Sequence, residues 1–451
     1  MKVAQAYRFA LDPTPAQATA LASHCGAARF AFNWGLALVK DALDQRAAEQ
    51  SSEVPEELLT EVPWSLYALR RAWNATKGRI APWWADNSKE AYNTGLDALA
   101  RALKNWAASR NGSRKGNPVG FPRFKSKHRA ALSCRFTTGT IRVEADRRHV
   151  TLPRLGTIRT AESTRKLARH LERGTGRILS ATIRFEGGRW FVAFTCQIDR
   201  DDRALAQPNA VVGVDLGVRA LAVLSTGETV DNPKHHRAAL RRLRRLSKEL
   251  ARRAGPRTPD GSSREASKRW HKTKVHLGKT HARVAGRRRD GLHQLTTRLA
   301  ATYGTVVVED LDVAGMLANR RLARAVADVG MAEVRRQLAC KTVWRGGRLV
   351  VADRWYPSSK TCSGCGAVKA KLALSERTYA CTACGLVLDR DENAARNLAA
   401  LAAGYEHDVA QSCGETVNAR GAGVRPADGG RSAEKRELPP GERSRRKSWA
   451  A

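Results

Sequence analysis

The sequence predicts an α/β protein in two parts. A layered α/β region with a small cysteine-rich insert fills the C-terminal half, and a β-rich region with a helical insertion fills the N-terminal half. Three observations predict it. After residue 208, short apolar runs that end in an acid alternate with long helical stretches, the pattern of strands layered against helices. Residues 119–200 hold several segments of β composition, preceded by a mostly helical region at 15–110. Two C-x-x-C pairs, Cys362/Cys365 and Cys381/Cys384, stand 15 residues apart near the C-terminus.

The elements follow in order. Residues 1–10 alternate enough to form a strand. The turn Asp12-Pro-Thr-Pro15 then starts a helix, with Thr14 as its cap and Pro15 at its first position. Apolar residues recur at helical spacing through Leu21, Cys25, Ala28, Phe32 and Leu38. A break follows at Asn111–Pro118. The segments 133–138, 149–152, 177–184 and 190–196 read as strands of a small β-barrel, with the helical segment inserted after its first strand. Ala210-Val-Val-Gly-Val-Asp215 has the composition of a buried central strand. Ala220–Leu224 and Glu228–Val230, joined by Ser225-Thr-Gly227, form a hairpin. Residues 233–253 and 264–303 are long basic helices around a polar loop at 254–261. Thr305-Val-Val-Val-Glu309 is a second central strand. One helix is expected around 321–341 and a strand at 348–353. The Gly-, Arg- and Glu-rich stretch after Tyr405 cannot bury enough apolar surface to order itself.

Composition narrows the function. The chain has 451 residues, 42% of them hydrophobic, enough for two or three domains with real cores. Its formal net charge of +37 draws polyanions, nucleic acid first. No apolar run reaches the roughly 18 residues of a membrane span, and the N-terminus lacks the apolar core of a signal peptide. The expected location is the cytoplasm, where thiols stay reduced. Four of the nine cysteines then make a tetrahedral zinc site with no open position, structural rather than catalytic. Cys25, Cys134, Cys196, Cys340 and Cys413 are scattered thiols.

Three acids carry the candidate chemistry. Asp215 and Glu309 end apolar strands, and Asp391 opens the helix Asp391-Glu-Asn-Ala-Ala-Arg-Asn-Leu. Acids at strand ends and helix starts can converge on one sheet edge, where hard divalent cations such as Mg²⁺ find oxygen ligands. Two such ions activate water and stabilise the leaving oxygen in phosphodiester hydrolysis. Asp389 competes with Asp391, and because their i, i+2 spacing points them differently only one is expected to ligate directly; Asp310 and Asp312 are bystanders next to Glu309. Between Lys234 and Arg298 stand 21 Lys/Arg against four acids, and the run Arg241-Arg242-Leu-Arg244-Arg245 alternates cations with apolar anchors. With Arg287, Arg288 and Arg289 it suits phosphate contact without sequence reading. Phe121-Pro-Arg123-Phe-Lys125-Ser-Lys127 mixes rings with cations, as base stacking beside phosphate contact requires.

These residues resemble a family. Gly213-Val-Asp215-Leu-Gly217, Val306-Val-Val-Glu309-Asp-Leu, Pro357-Ser-Ser-Lys-Thr-Cys362-Ser-Gly-Cys365-Gly and Asp389-Arg-Asp391-Glu-Asn-Ala-Ala-Arg-Asn397 look like the motifs of the TnpB (OrfB) proteins of bacterial insertion sequences, relatives of the compact type V CRISPR effectors. The likeness runs over nearly the whole chain. It implies an RNase H-like RuvC nuclease domain with a zinc-ribbon insert, plus an N-terminal β-barrel wedge domain carrying a helical recognition insertion. The implied divisions are 1–10 (first wedge strand), 11–117 (helical recognition), 118–207 (wedge barrel), 208–357 and 387–405 (nuclease), 358–386 (zinc-ribbon insert) and 406–451 (disordered tail). The resemblance implies Asp215, Glu309 and Asp391 as catalytic acids holding two Mg²⁺. It also implies one structural Zn²⁺, a guide RNA, and a double-stranded DNA target cut beside a short flanking motif. A transposase from the same element is a possible partner, and the bacterial nucleoid the place of work. Three alternatives stay open: a compact type V CRISPR effector with the same chemistry, a transposition-associated DNA-binding protein, and a strand transferase without guided cleavage.

Overall fold

The computed structural model describes residues 1–114, 116–127, 129–200, 205–254, 266–373 and 375–402. The tail reading at 406–451, Cys413 and nearly all of the loop at 254–263 lie outside the described residues.

Strand β1 (Lys2–Asp12) turns Val3, Tyr7, Phe9 and Leu11 into the core. Helix α1 (Pro15–Ser51) starts where the turn chemistry requires. The Thr14 hydroxyl accepts from Gln17 N, and the Gln17 side chain accepts from Thr14 N, a reciprocal cap. Helices α2 (Leu66–Ile80) and α3 (Lys89–Arg110) complete the helical segment. Then come β2 (Ser133–Phe136), β3 (Arg142–Val143), β4 (His149–Leu152), β5 (Gly156–Thr160), α4 (Arg165–Glu172), β6 (Gly176–Glu186) and β7 (Arg189–Asp199). The strands form one antiparallel sheet in the order β2-β6-β7-β1-β5-β4-β3.

The expected barrel is, by its hydrogen bonds, an open sheet. Among the described residues no ladder joins β2 to β3. The reason is that α3 occupies the free edge of β2. Arg135 N donates to Thr94 Oγ1 (3.0 Å), Thr94 Oγ1 donates back to Arg135 O (3.1 Å), and Thr137 N donates to the Glu90 carboxylate (3.2 Å). Side chains of the helix thus satisfy the edge groups that a closing strand would have paired. Helices and sheet share one core, in which Leu36, Leu69 and Leu96 join Phe136, Ile183 and Phe194.

The second region contains β8 (Gln207–Asp215), β9 (Ala220–Leu224), β10 (Thr229–Asp231), α5 (His235–Arg253), α6 (Lys268–Thr302), β11 (Tyr303–Glu309), α7 (Val313–Ala318), α8 (Ala323–Val329), α9 (Met331–Val343), β12 (Arg348–Ala352), β13 (Thr378–Ala380), β14 (Val387–Asp389) and α10 (Arg390–Leu401). Its sheet runs β10-β9-β8-β11-β12, with β8, β11 and β12 parallel and the β9–β10 hairpin antiparallel at one side. The single helix expected around 321–341 is two, α8 and α9. Gly330 adopts a left-handed conformation (φ 77°) that ends one and begins the other. No helix among the described residues is long and apolar enough to cross a membrane.

The central strands are apolar on both faces because helices cover both. Val212, Val214, Val306 and Val308 meet Leu295 and Leu299 of α6 and Val334 and Leu338 of α9. On the opposite face Val307 and Val350 meet Leu398 and Ala402 at the end of α10. Helix α10 lies directly on β8. A methyl group on Gly213 would stand 1.9 Å from the Ala395 carbonyl oxygen and 2.6 Å from Ala399 N. Only glycine lets the two backbones approach this closely.

Candidate active site and metal knuckle

The parallel pairing of β8 and β11 brings two of the predicted acids together. Val308 lies opposite Val214, so Asp215 and Glu309, the last residues of their strands, end side by side. Helix α10 approaches the same edge, and its second residue is Asp391. Asp215 is half-buried there, and its carboxyl is pushed up to about 8. Burial is the first cause, followed by the negative charges of Glu309 and Asp391; the Arg390 guanidinium pulls the other way. Three carboxylates that distant stretches of chain supply therefore act on one another at a single sheet edge.

Two of the acids are held from behind. The Ser358 hydroxyl donates a short hydrogen bond to Glu309 Oε1. Arg377 Nη1 lies 3.9 Å from Asp391 Oδ1. Asp389 caps α10, its Oδ1 accepting from Asp391 N (2.9 Å) and Glu392 N (3.3 Å), so Asp391 stands inside the first turn rather than at its opening. The neighbouring acids are structural. Asp310 pairs with Arg335 and Arg354, and Asp312 caps α7 through Gly315 N.

The four cysteines close into one cluster, with all sulfurs within 4.8 Å of one another. Cys362 Sγ and Cys384 Sγ are 3.6 Å apart, as are Cys365 Sγ and Cys381 Sγ. Those spacings are too long for disulfides. They match the edge of a tetrahedron, since ligands about 2.3 Å from a zinc ion stand roughly 3.8 Å apart. Backbone N–H groups of Cys384 and Ala383 aimed at Cys381 Sγ hold that thiol down to about 6, favouring the thiolate a metal needs. The set can hold a zinc ion. The three acids form no such tight group among the described residues. Their all-oxygen donor set and mutual repulsion nonetheless fit hard divalent cations, which would neutralise the crowding that now raises Asp215.

Two asparagines join knuckle and acids, and sequence reasoning missed both. Asn393 Nδ2 donates to Thr361 O (2.7 Å), and its Oδ1 accepts from Ser363 N (2.9 Å). Asn397 Nδ2 donates to Ser358 O and Thr361 O, both at 2.7 Å. Both amides are buried on the inner face of α10. They staple the first cysteine loop to the helix that carries Asp391, and through Ser358 to Glu309. Their i, i+4 spacing in an otherwise alanine-rich helix was the available signal.

The predicted nucleic-acid residues divide. Arg241, Arg242, Arg244 and Arg245 are exposed on α5, while Leu243 and Leu246 between them are buried. Arg287 and Arg289 are exposed on α6, but Arg288 donates to Ala327 O (2.6 Å). Arg123 and Lys127 are exposed; Lys125 is half-buried, with its ammonium 3.6 Å above the Phe32 ring. Phe121 packs edge-on to Trp106, leaving Phe124 as the exposed ring of that stretch.

Known proteins share this arrangement of sequence. A family model described as "Probable transposase" (OrfB of IS605) matches residues 193–320, and the "Cas12f1-like, TNB domain" model matches 332–398. The OrfB model named "Helix-turn-helix domain" matches residues 1–47, which here form β1 and most of α1. A Mycobacterium tuberculosis H37Rv protein named "Putative RNA-guided DNA endonuclease Rv2885c" is 43% identical over 385 residues, covering 81% of this chain and 80% of its own. The chain belongs to the TnpB (OrfB) family. Another OrfB relative, the Escherichia coli K12 protein named "Putative RNA-guided DNA endonuclease InsQ", is 29% identical over 400 residues, covering 84% of this chain and 87% of its own. A Cas12f1 chain solved in a complex with sgRNA and target DNA is a looser likeness. It covers 88% of this OrfB chain and 99% of its own, at 12% identity and a TM-score of 0.45.

Proposed function

We propose that the protein is an RNA-guided DNA endonuclease that hydrolyses phosphodiester bonds at Asp215, Glu309 and Asp391. The observation that carries the reading is the convergence of these three acids at one sheet edge. It stands in a chain that is 43% identical, over most of its length, to a protein named for that activity. The net charge of +37 supports nucleic-acid partners. We take the partners to be a guide RNA and a double-stranded target read beside a short flanking motif, with base pairing supplying sequence and the protein supplying shape and charge.

Asp215, Glu309 and Asp391 would hold two Mg²⁺. Bound there, the ions supply activation of water and charge neutralisation at the leaving oxygen. The chain's own residues do the rest. Strand ends fix the Asp215 and Glu309 backbones, the Ser358 hydroxyl orients Glu309, and the Asp389 cap with Arg377 orients Asp391. Arg390 offsets part of the negative charge while its guanidinium also donates to Ala373 O (3.1 Å) inside the insert. The four cysteines would hold one Zn²⁺ as a structural staple, and the asparagine clamp keeps that staple beside Asp391.

The test is direct. RNA that co-purifies with the protein is sequenced, then supplied for cleavage of plasmids carrying the matching target with wild-type protein and with Asp215→Asn. Wild type should cut only with that RNA and a divalent cation. Asp215→Asn should retain the RNA and cut nothing. Undiminished cutting by the variant removes Asp215 from the chemistry; the absence of any co-purifying RNA favours the transferase or plain DNA-binding alternative.

A further inference from the structure

We propose that Trp355 is a stacking platform for an unpaired nucleobase of the strand presented to the carboxylates; this rests on the nuclease reading above. Trp355 is 85% exposed, more than any other large apolar side chain among the described residues. A free indole normally signals a floppy segment, but this turn is pinned on every side. Trp355 N donates to Asp353 Oδ1 (2.8 Å), and Tyr356 N donates to Asp353 O (3.1 Å). The preceding Arg354 donates to Asp310 Oδ2 (2.9 Å). The following Tyr356 packs into the cluster of Val307, Val350 and Leu398. The backbone is therefore fixed while the ring is left in water, although burial of a large apolar side chain is favourable.

The place of the turn in the fold sets Trp355 beside the acids. The turn leaves the carboxyl end of β12, whose Ala352 pairs with Glu309. Arg354 bonds to the residue after Glu309, and Ser358 bonds to Glu309 itself. Trp355 is carried between those two anchors, at the edge where the acids converge. Arg354, paired with Asp310, precedes it, and Arg354 and the later Lys360 are both exposed. A protein-docking patch would need several apolar neighbours, and here the neighbours are Asp353, Arg354 and a half-buried tyrosine. One flat exposed ring on a fixed turn beside the carboxylates suits one base of a polyanionic strand, bound by stacking with no preference for sequence. The base must be unpaired, since bases within a duplex already stack on one another.

The experiment uses the full-length Asp215→Asn protein, so that DNA stays intact, and a short single-stranded oligonucleotide carrying 2-aminopurine. Stacking on the indole quenches that fluorophore. Trp355→Ala should abolish the quenching and weaken binding by about 5- to 100-fold, and Trp355→Phe should restore part of both. Unfolding midpoints equal to the parent's confirm that the exposed substitutions leave the fold intact. In parallel, the variants are made in the cutting protein and assayed on duplex targets. Quenching and affinity unchanged in Trp355→Ala overturn the platform while cleavage by the parent sequence leaves the nuclease reading standing. Equal losses in Trp355→Ala and Trp355→Phe also overturn it, since a stacking face would be rescued by another ring. Failure of the Asp215→Asn parent to bind or quench the single strand also overturns the platform, whereas failure of the wild-type sequence to cut a matching duplex with its co-purified RNA and a divalent cation removes the nuclease reading itself.

Discussion

Replacing Gly213 with alanine tests whether the packing of α10 on β8 sets the geometry of the acids. The added methyl would lie 1.9 Å from the Ala395 carbonyl oxygen and 2.6 Å from Ala399 N. Both are backbone atoms, so no side chain can swing aside. Relief to an ordinary contact of about 3.5 Å requires α10 and β8 to part by more than about 1 Å. Overpacking of this kind costs about 1–3 kcal/mol, and the rigid backbone contact puts Gly213→Ala near the upper end. The melting temperature should fall by roughly 5–10 °C. The same displacement carries Asp391 away from Asp215, and a shift of about 1 Å at reacting groups can cost 10²-fold in rate. The assay is thermal unfolding together with guided plasmid cleavage. Gly26→Ala serves as control, because Gly26 lies inside α1 with nothing within 4 Å of an added methyl. That change should be neutral or stabilising by up to about 1 kcal/mol. A Gly213→Ala protein with the wild-type melting temperature and cutting rate would refute the close-packing argument.

Four further outcomes are expected. Asp215 is raised from 3.8 to about 8 in the folded protein, so without metal its charge is unfavourable there. The stability that a neutral Asp215 contributes is complete below pH ~4 and is lost as pH rises through 8. Metal-free Asp215→Asn should therefore match wild type near pH 4 and melt higher at pH 8.5, and Mg²⁺ should raise the wild-type midpoint more at pH 8.5 than at pH 5; equal midpoints throughout would contradict the crowding of the acids. Cys381→Ser with Cys384→Ser should remove bound zinc, measured by elemental analysis, and expose the insert to protease, whereas an unchanged metal content would exclude the four-sulfur site. Asn397→Ala removes donors to both Ser358 O and Thr361 O; Thr361 O keeps Asn393 Nδ2, but the buried Ser358 O loses its side-chain donor, a loss of about 1–3 kcal/mol by denaturant unfolding. Because the Ser358 hydroxyl orients Glu309, cleavage should fall as well, and Ser358→Ala should reduce cleavage with a smaller effect on stability.

Much of the fold was legible because its signals are local. Thr14 and Pro15 specify a helix start through their own hydrogen bonds and dihedrals, and the cap forms as read. Ala220–Leu224 and His149–Leu152 are strands with the expected bounds. The missed strands, β3, β5, β13 and β14, and the short helices α4 and α7 are brief segments whose structure comes from pairing and packing rather than from composition. Gly330 splits a helix that apolar periodicity alone would have continued.

The chain by itself determined which residue types were available for chemistry. The cysteine spacing, the acids at the ends of apolar runs and the excess of cations are properties of covalent order, and each survives in the fold. Only the tertiary structure decided which of them meet. Asp215 and Glu309 become neighbours through a parallel register that no local rule contains, and Asp391 joins them because Gly213 lets one backbone lie on another. The barrel stays open because Thr94 and Glu90, far away in sequence, satisfy the edge of β2. Lys125, a phosphate ligand by composition, stands with its ammonium over the Phe32 ring. In each case the deciding interaction is a hydrogen bond or contact between residues distant along the chain, and the free energy that selects it exists only once the core has brought them together.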